Sequence, residues 1–183
     1  MTGAVTGKVF AVVGPSGAGK DTLLAGVTAA CPALHWARRT ISRAEVAGGE
    51  PFEGVPVEEY EFLMKSGVFA LDWAAHGLRY GIRKAEFSGL TQGRNVLFNG
   101  SRATLARALE VFPDLTVLRI SAPSKVLAER LAARGRETAA EIEARLARAS
   151  YEVPDGIPVI DIANDATQAV GIARLLAALQ PRG

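Results

Sequence analysis

Val9-Phe10-Ala11-Val12-Val13-Gly14-Pro15-Ser16-Gly17-Ala18-Gly19-Lys20-Asp21 is the stretch whose reading decides the fold. Five apolar residues in a row predict a strand buried on both faces, as in a parallel sheet. The glycine-rich run after them predicts a tight turn, with Lys20 at its end and a helix opening at Asp21. Strand, turn and helix in this order form the phosphate cradle called a P-loop. The glycines let successive backbone N–H groups converge on phosphate oxygens, and the helix N-terminus adds its partial positive charge. Lys20 reaches the outermost phosphates as a mobile point charge. Gly14, Pro15, Ser16, Gly17, Ala18, Gly19, Lys20, Asp21 and Thr22 are therefore the candidate nucleotide-binding residues. An ordinary glycine-rich strand-to-helix turn is the bland alternative; strand, spacing and lysine all speak against it.

One position departs from the motif. The residue after the lysine is normally Ser or Thr, whose hydroxyl binds the nucleotide's magnesium. Here it is Asp21, followed by Thr22. A carboxylate is a common N-cap choice. It is also a hard oxygen ligand of the kind magnesium prefers, which makes Asp21 the candidate metal residue.

Composition sets the outer limits. At 183 residues the chain is expected to be a single domain with a proper core. Hydrophobic content of 49% and charged content of 22% are ordinary for a globular protein. A net charge of +2 is too small for a nucleic-acid coat, and no apolar run is long enough to cross a bilayer. The single Cys31 excludes an internal disulfide and a cysteine-based metal site. No signal-peptide pattern opens the sequence, so the expectation is a cytoplasmic protein. Its oligomeric state is not legible.

Further along, Thr22 to Ala30 predicts a helix with Leu23, Leu24 and Val27 on one face. Arg38, Arg39 and Arg43 stand among Thr40, Ile41 and Ser42; guanidinium groups grip phosphate oxygens in pairs, although a solvated basic turn reads the same way. Ala44 to Val55, rich in Gly, Glu and Pro, reads as a loop. Val57 to Lys65 predicts a helix, and Phe69 to Ala74 with Leu78 to Ile82 a hairpin about His76-Gly77. Lys84 to Gln92 predicts a helix. Asn95 to Phe98 predicts a buried strand, ending in Asn99-Gly100-Ser101-Arg102, with Ser101 capping the next helix. Leu115 to Ser121 and Pro158 to Ile162 are the remaining strands, and Ala166 to Leu179 the closing helix. Strands alternating with helices predict a parallel α/β sheet whose ligands sit beyond the strand carboxyl ends, where Asn99, Ser101 and Arg102 lie. Ser124 to Arg134 and Thr138 to Ser150 predict two arginine-bearing helices, either a salt-bridged surface hairpin or a lid over phosphates.

The chain resembles the guanylate-kinase-like P-loop kinases over nearly its whole length. The residues that carry this are Gly14 to Lys20, Thr40-Ile41-Ser42-Arg43, Trp73 with Tyr80-Gly81, and Arg130-Leu131, Arg134-Gly135 and Arg145-Leu146. Within that superfamily it is similar to the ribose 1,5-bisphosphate phosphokinases of phosphonate breakdown, through Gly19-Lys20-Asp21, Asn99-Gly100-Ser101-Arg102-Ala103 and Arg134-Gly135-Arg136-Glu137. The resemblance implies an α/β P-loop fold: a parallel sheet flanked by helices, with a core of about residues 1–37, 89–124 and 151–183. It implies an acceptor-binding insertion over about 38–88 and a helical lid over about 125–150. It also implies ATP as donor, Mg2+ as metal and a phosphorylated sugar as acceptor, with no nucleic acid and no membrane. Lys20, Arg130, Arg134 and Arg145 would be catalytic. Arg39, Arg43 and Tyr80, with Asn99, Ser101 and Arg102, would meet the acceptor, and Asn164 and Asp165 would flank the adenine.

Two departures from guanylate kinase bear on the acceptor. Ile82 stands where that family has a serine that helps read guanine, and Asn99 stands where it has an acidic residue. A site that hydrogen-bonds guanine loses much when its partners turn apolar or neutral. An extra arginine, Arg39, fits an acceptor with a second phosphate. The family's second phosphate-binding arginine aligns near Val46. A guanylate or other nucleoside monophosphate kinase is the alternative enzyme, and a non-catalytic binding module of the same fold is the alternative of another class.

Overall fold

The computed structural model describes residues 6–44, 50–133, 135, 138–147 and 153–180, without the side chains at 139, 145 and 147. Strand β1 (Val9–Val13) is buried along its whole length and lies at the centre of a five-stranded sheet. Its neighbours are β7 (Val96–Asn99) and β8 (Thr116–Ser121), and the edges are β2 (His35–Trp36) and β9 (Val159–Ala163). All four pairings are parallel, giving the order β2-β7-β1-β8-β9. Parallel neighbours need crossover connections, which the helices provide. Those in the crossovers are α1 (Lys20–Ala30), α3 (Arg102–Val111), α4 (Ser124–Ala133) and α5 (Ala139–Ala147); α2 (Val57–Lys65) lies within the stretch between β2 and β7, and α6 (Gln168–Leu179) follows the last strand.

Alternation along β1 divides the core. Val9, Ala11 and Val13 pack with Leu105 and Ala108 of α3 and with Trp73 and Ile82. Phe10 and Val12 pack with Leu23, Leu24 and Val27 of α1 and with Leu175 and Leu179 of α6. Both faces are thus covered, the condition under which an unbroken apolar strand is stable.

Between β2 and β7 the chain builds a second, four-stranded sheet from β3 (Arg39–Ile41), β4 (Phe52–Gly54), β5 (Phe69–Ala75) and β6 (Leu78–Arg83). Its order is β4-β3-β6-β5, with β3 parallel to β4 and antiparallel to β6. The β5–β6 hairpin turns at His76 and Gly77, whose φ values of 53° and 73° suit a tight hairpin turn. Trp73 stacks on Tyr80 across it, with ring centroids 5.4 Å apart.

Four local expectations are corrected. Phe52–Gly54 is a strand within the expected loop, because Phe52 is buried beside β3. The helix expected over Lys84–Gln92 forms with those bounds, but as a 3₁₀ helix: Phe87 and Leu90, three apart, dock into the core, and that spacing matches three residues per turn. The N-cap of α1 is Gly19, so Asp21 sits inside the first turn instead of capping it. Ser101 is the N-cap of α3 but makes no side-chain capping bond; its Oγ is buried without a partner among the described residues. Among the described residues no helix is long and apolar enough to cross a membrane.

Candidate active site

The P-loop joins the carboxyl end of β1 to α1. Gly14, Gly17 and Gly19 have φ of 151°, 86° and 87°, a region that L side chains avoid. A Cβ on Gly19 would also come within 2.5 Å of Asn164 Nδ2, so backbone conformation and space both require glycine there. The Lys20 ammonium folds back over the loop, donating to the carbonyls of Gly14 at 2.8 Å and Pro15 at 3.1 Å. Ser16 and Thr22 are exposed at the loop and on α1, and Ala18 is buried.

Two side chains from distant parts of the sequence brace this loop. Asn164, buried at the end of β9, donates its amide to Ala18 O at 2.7 Å. Arg130 of α4 reaches Gly17 O and Ala18 O, both at 3.4 Å, and Asn164 O at 3.2 Å. The P-loop, α4 and the turn after β9 thus meet at one guanidinium. Asp165, by contrast, points away to Arg174 at 2.6 Å, and that hydrogen bond holds its carboxyl below the ordinary range.

The second sheet approaches the P-loop from the side of β7. Asn99, at the carboxyl end of β7, donates Nδ2 to Asp21 Oδ1 at 2.8 Å and to Glu50 Oε2 at 3.0 Å. A carboxamide nitrogen has two protons, so both donors of Asn99 are spent on carboxylates. Glu50 in turn accepts from Arg39, with Nε on Oε1 at 2.7 Å and Nη2 on Oε2. Arg39 Cζ lies over the Tyr80 ring, 5.1 Å from its centroid, where the ring's negative face attracts a cation. Burial pushes the Glu50 carboxyl up; Arg39 pulls it down, the charge of Asp21 adds to the rise, and Asn99 opposes it.

The expected residues therefore divide. Gly14 to Asp21, Arg39, Tyr80, Asn99, Arg130 and Asn164 converge at the carboxyl ends of β1, β7 and β9. Arg43 is exposed and lies instead against Phe52, 4.7 Å from its ring centroid. Arg102 is exposed in the first turn of α3. Arg134 lies outside the described residues, as do Arg136 and Arg148; Arg145 is on α5, its side chain outside them. Ile82 is fully buried in the core and cannot present a hydrogen-bonding group to a base. Sequence reading missed Glu50. It stands in a Gly-Gly-Glu-Pro loop with no local pattern to single it out, and only its contacts do so.

Comparison with known proteins extends this picture. A ribose 1,5-bisphosphate phosphokinase from Ruegeria sp. (strain TM1040) is 48% identical over 181 residues, which cover 98% of this chain and 95% of that protein. The chain belongs to the ribose 1,5-bisphosphate phosphokinase family. A member of the family from Pseudomonas fluorescens (strain SBW25) is 42% identical, the match covering 96% of each protein. A bifunctional ribose 1,5-bisphosphokinase-thymidine phosphorylase from Azorhizobium caulinodans is 45% identical over 95% of this chain, which spans 26% of that longer protein. No protein-family model matches the chain. Among solved structures, guanylate kinase from Anaplasma phagocytophilum superposes with a TM-score of 0.65 at 19% identity, covering 97% of this chain and 88% of that one. A gluconokinase from Sinorhizobium meliloti 1021 gives 0.52 at 18% identity, covering 96% and 92%. These likenesses show the fold, that of the P-loop kinases. Membership of the ribose 1,5-bisphosphate phosphokinase family makes the protein a kinase, and kinase activity implies the use of ATP.

Proposed function

We propose that the protein transfers the γ-phosphoryl group of ATP to the 1-phosphate of ribose 1,5-bisphosphate, giving 5-phosphoribosyl 1-diphosphate and ADP. Full-length kinship with enzymes of that name carries the reading, and the geometry supports it. A P-loop faces a second sheet that presents Arg39 to the same crevice, while the position that would read guanine is a buried isoleucine. The acceptor is a phosphate oxygen, already anionic near neutral pH, so no general base is needed. Catalysis is then positioning and charge stabilisation.

In this reading the P-loop amides and Lys20 hold the donor phosphates. Arg39 grips the acceptor, with Arg102 and Arg43 as further contacts from the rim and Ser101 as one from beneath; its buried hydroxyl has no partner among the described residues. Tyr80 supports Arg39 from beneath, and Asn164 and Asp165 border the adenine side. Arg130, with Arg134 and Arg145 from the helical lid, neutralises the transferring group, and closure of that lid over about residues 125–150 excludes water. The insertion over about 38–88 is the acceptor-binding part of a single domain, and the cytoplasm, where ATP is supplied, is the place of action.

The residues present fit a magnesium ion. Asp21 offers a hard oxygen at the foot of the P-loop and keeps Oδ2 beyond the bond that Oδ1 accepts from Asn99. Among the described residues no three acidic, histidine or cysteine side chains gather into a cage, so phosphates and water would complete the coordination. Bound there, the ion would neutralise charge on the β- and γ-phosphates.

The test is an ADP-release assay with magnesium and ATP that compares ribose 1,5-bisphosphate with GMP. Turnover of the sugar bisphosphate, with 5-phosphoribosyl 1-diphosphate as product, is expected. Turnover of GMP alone would replace this reading with a nucleoside monophosphate kinase, and failure to bind ATP would leave a binding module. In the same assay an Asp21→Ala enzyme is expected to need more magnesium for half its maximal rate. An unchanged magnesium dependence would remove Asp21 from the metal site.

A further inference from the structure

Among the described residues, Glu50 is the one carboxylate buried in the crevice that the reaction as described leaves without a task. Its side chain is 6% exposed and that of Arg39 is 15% exposed. Two hydrogen bonds join them side to side, the paired geometry that fixes a guanidinium in its plane. Tyr80 lies against the face of the same guanidinium and is itself backed by Trp73. Glu50 is also held from behind by Asn99, which ties it to Asp21 in the P-loop. Fold stability alone is a poor explanation for this arrangement. A buried ion pair is often no better than an apolar pair of the same size, and a second carboxylate on the same amide makes it costlier. The pairing does have a geometric consequence. It occupies the Nε–Nη2 edge of Arg39; a guanidinium carries five donors, and among the described residues none is bonded to Nη1, which leaves that edge for an oxyanion.

We propose that Glu50 is a positioning residue of the acceptor site: it holds Arg39 by one edge, so that the other edge meets the acceptor phosphate. Asn99 completes the device by anchoring Glu50 to the donor loop, so the acceptor arginine is set relative to Asp21. Glu50 itself does not touch the acceptor. The role rests on the reading of Arg39 as the acceptor arginine.

A double-mutant cycle with two readouts tests it. In the unliganded protein, NMR of the Arg39 Nε–H should show a proton protected from solvent exchange, and Glu50→Gln should remove that protection. Calorimetric titration with ribose 1,5-bisphosphate should then show E50Q and R39A each weakening binding by about tenfold or more, as losses of charge-assisted bonds do. The double variant should bind no more weakly than R39A, because Glu50 acts through Arg39. ADP affinity of E50Q should match the wild type. Losses that add in the double variant, with a wild type that binds, would overturn the role of Glu50 alone, as would an Nε–H unchanged by E50Q. A wild type that does not bind ribose 1,5-bisphosphate would overturn the acceptor assignment itself, and this role with it.

Discussion

Charged side chains in this protein do different work depending on what they meet. Asp21 and Glu50 converge on a single amide, an arrangement that a third carboxylate at position 99 would disrupt by adding repulsion where donors are needed. Away from the crevice, Glu53 shows the opposite balance. Its partial burial raises the carboxyl's pKa, but hydrogen bonds from Thr40 and Arg83 outweigh this and hold it below the ordinary 4.5. A carboxyl depressed in the folded state stabilises the fold above its unfolded pKa, and that contribution is lost as the pH falls through the folded value. Acidification from neutral pH is therefore expected to cost the wild type more stability than it costs Glu53→Gln. Urea melts of both proteins, at neutral pH and below the carboxylate range, would measure this; equal losses would mean that Glu53 is not coupled to folding.

At the scale of elements, the second sheet depends on a close approach that its sequence barely marks. Gly81 of β6 lies opposite Thr40 of β3 and Asp72 of β5. A Cβ there would come 2.7 Å from two atoms of the Phe69 ring. That ring cannot easily retreat, since it stacks on Tyr60 of α2 at 5.0 Å. Gly81→Val is therefore expected to push Phe69 out of the small cluster with Val55 and Tyr60, costing about 1–3 kcal/mol as overpacking does. Thermal unfolding monitored by circular dichroism would report it, and a melting temperature at or above that of the wild type would show that the ring has room to move. The same sheet shows the limit of local reading. Its hairpin was legible from two alternating runs about His76-Gly77, whereas β4 was not, because three residues carry too little pattern to distinguish a strand from a loop.

For the molecule as a whole, the decisive contacts join parts that are far apart in the chain. Arg130 connects α4, the P-loop and the turn after β9, spanning 113 positions to Gly17 and 34 to Asn164. Any movement of α4 must therefore carry the phosphate loop's brace with it. Arg130→Ala is expected to lower kcat by about 10³, the cost typical of removing an arginine that stabilises phosphoryl transfer. The fold should survive, because Leu127 and Leu131 anchor α4. Steady-state kinetics beside a melting curve would separate the two effects; a kcat near that of the wild type would reduce Arg130 to a brace.

What the sequence determined by itself was whatever is encoded in contiguous residues. The buried β1, the phosphate loop after it, the hairpin and the run of β7, α3, β8, α4, α5, β9 and α6 follow from short-range pattern, because dihedral preference and burial period act over a few residues. The family followed as well, since its motifs are short runs. Only the tertiary structure decided which side chains share a partner. Asn99 meets Asp21 across 78 positions and Glu50 across 49, and Glu50 then takes the edge of Arg39. Asn164 likewise became a brace of the P-loop, its amide reaching Ala18 across 146 positions. A hydrogen bond is set by distance and direction in space, and the parallel crossovers that create such proximity leave no trace in the spacing of the residues they bring together.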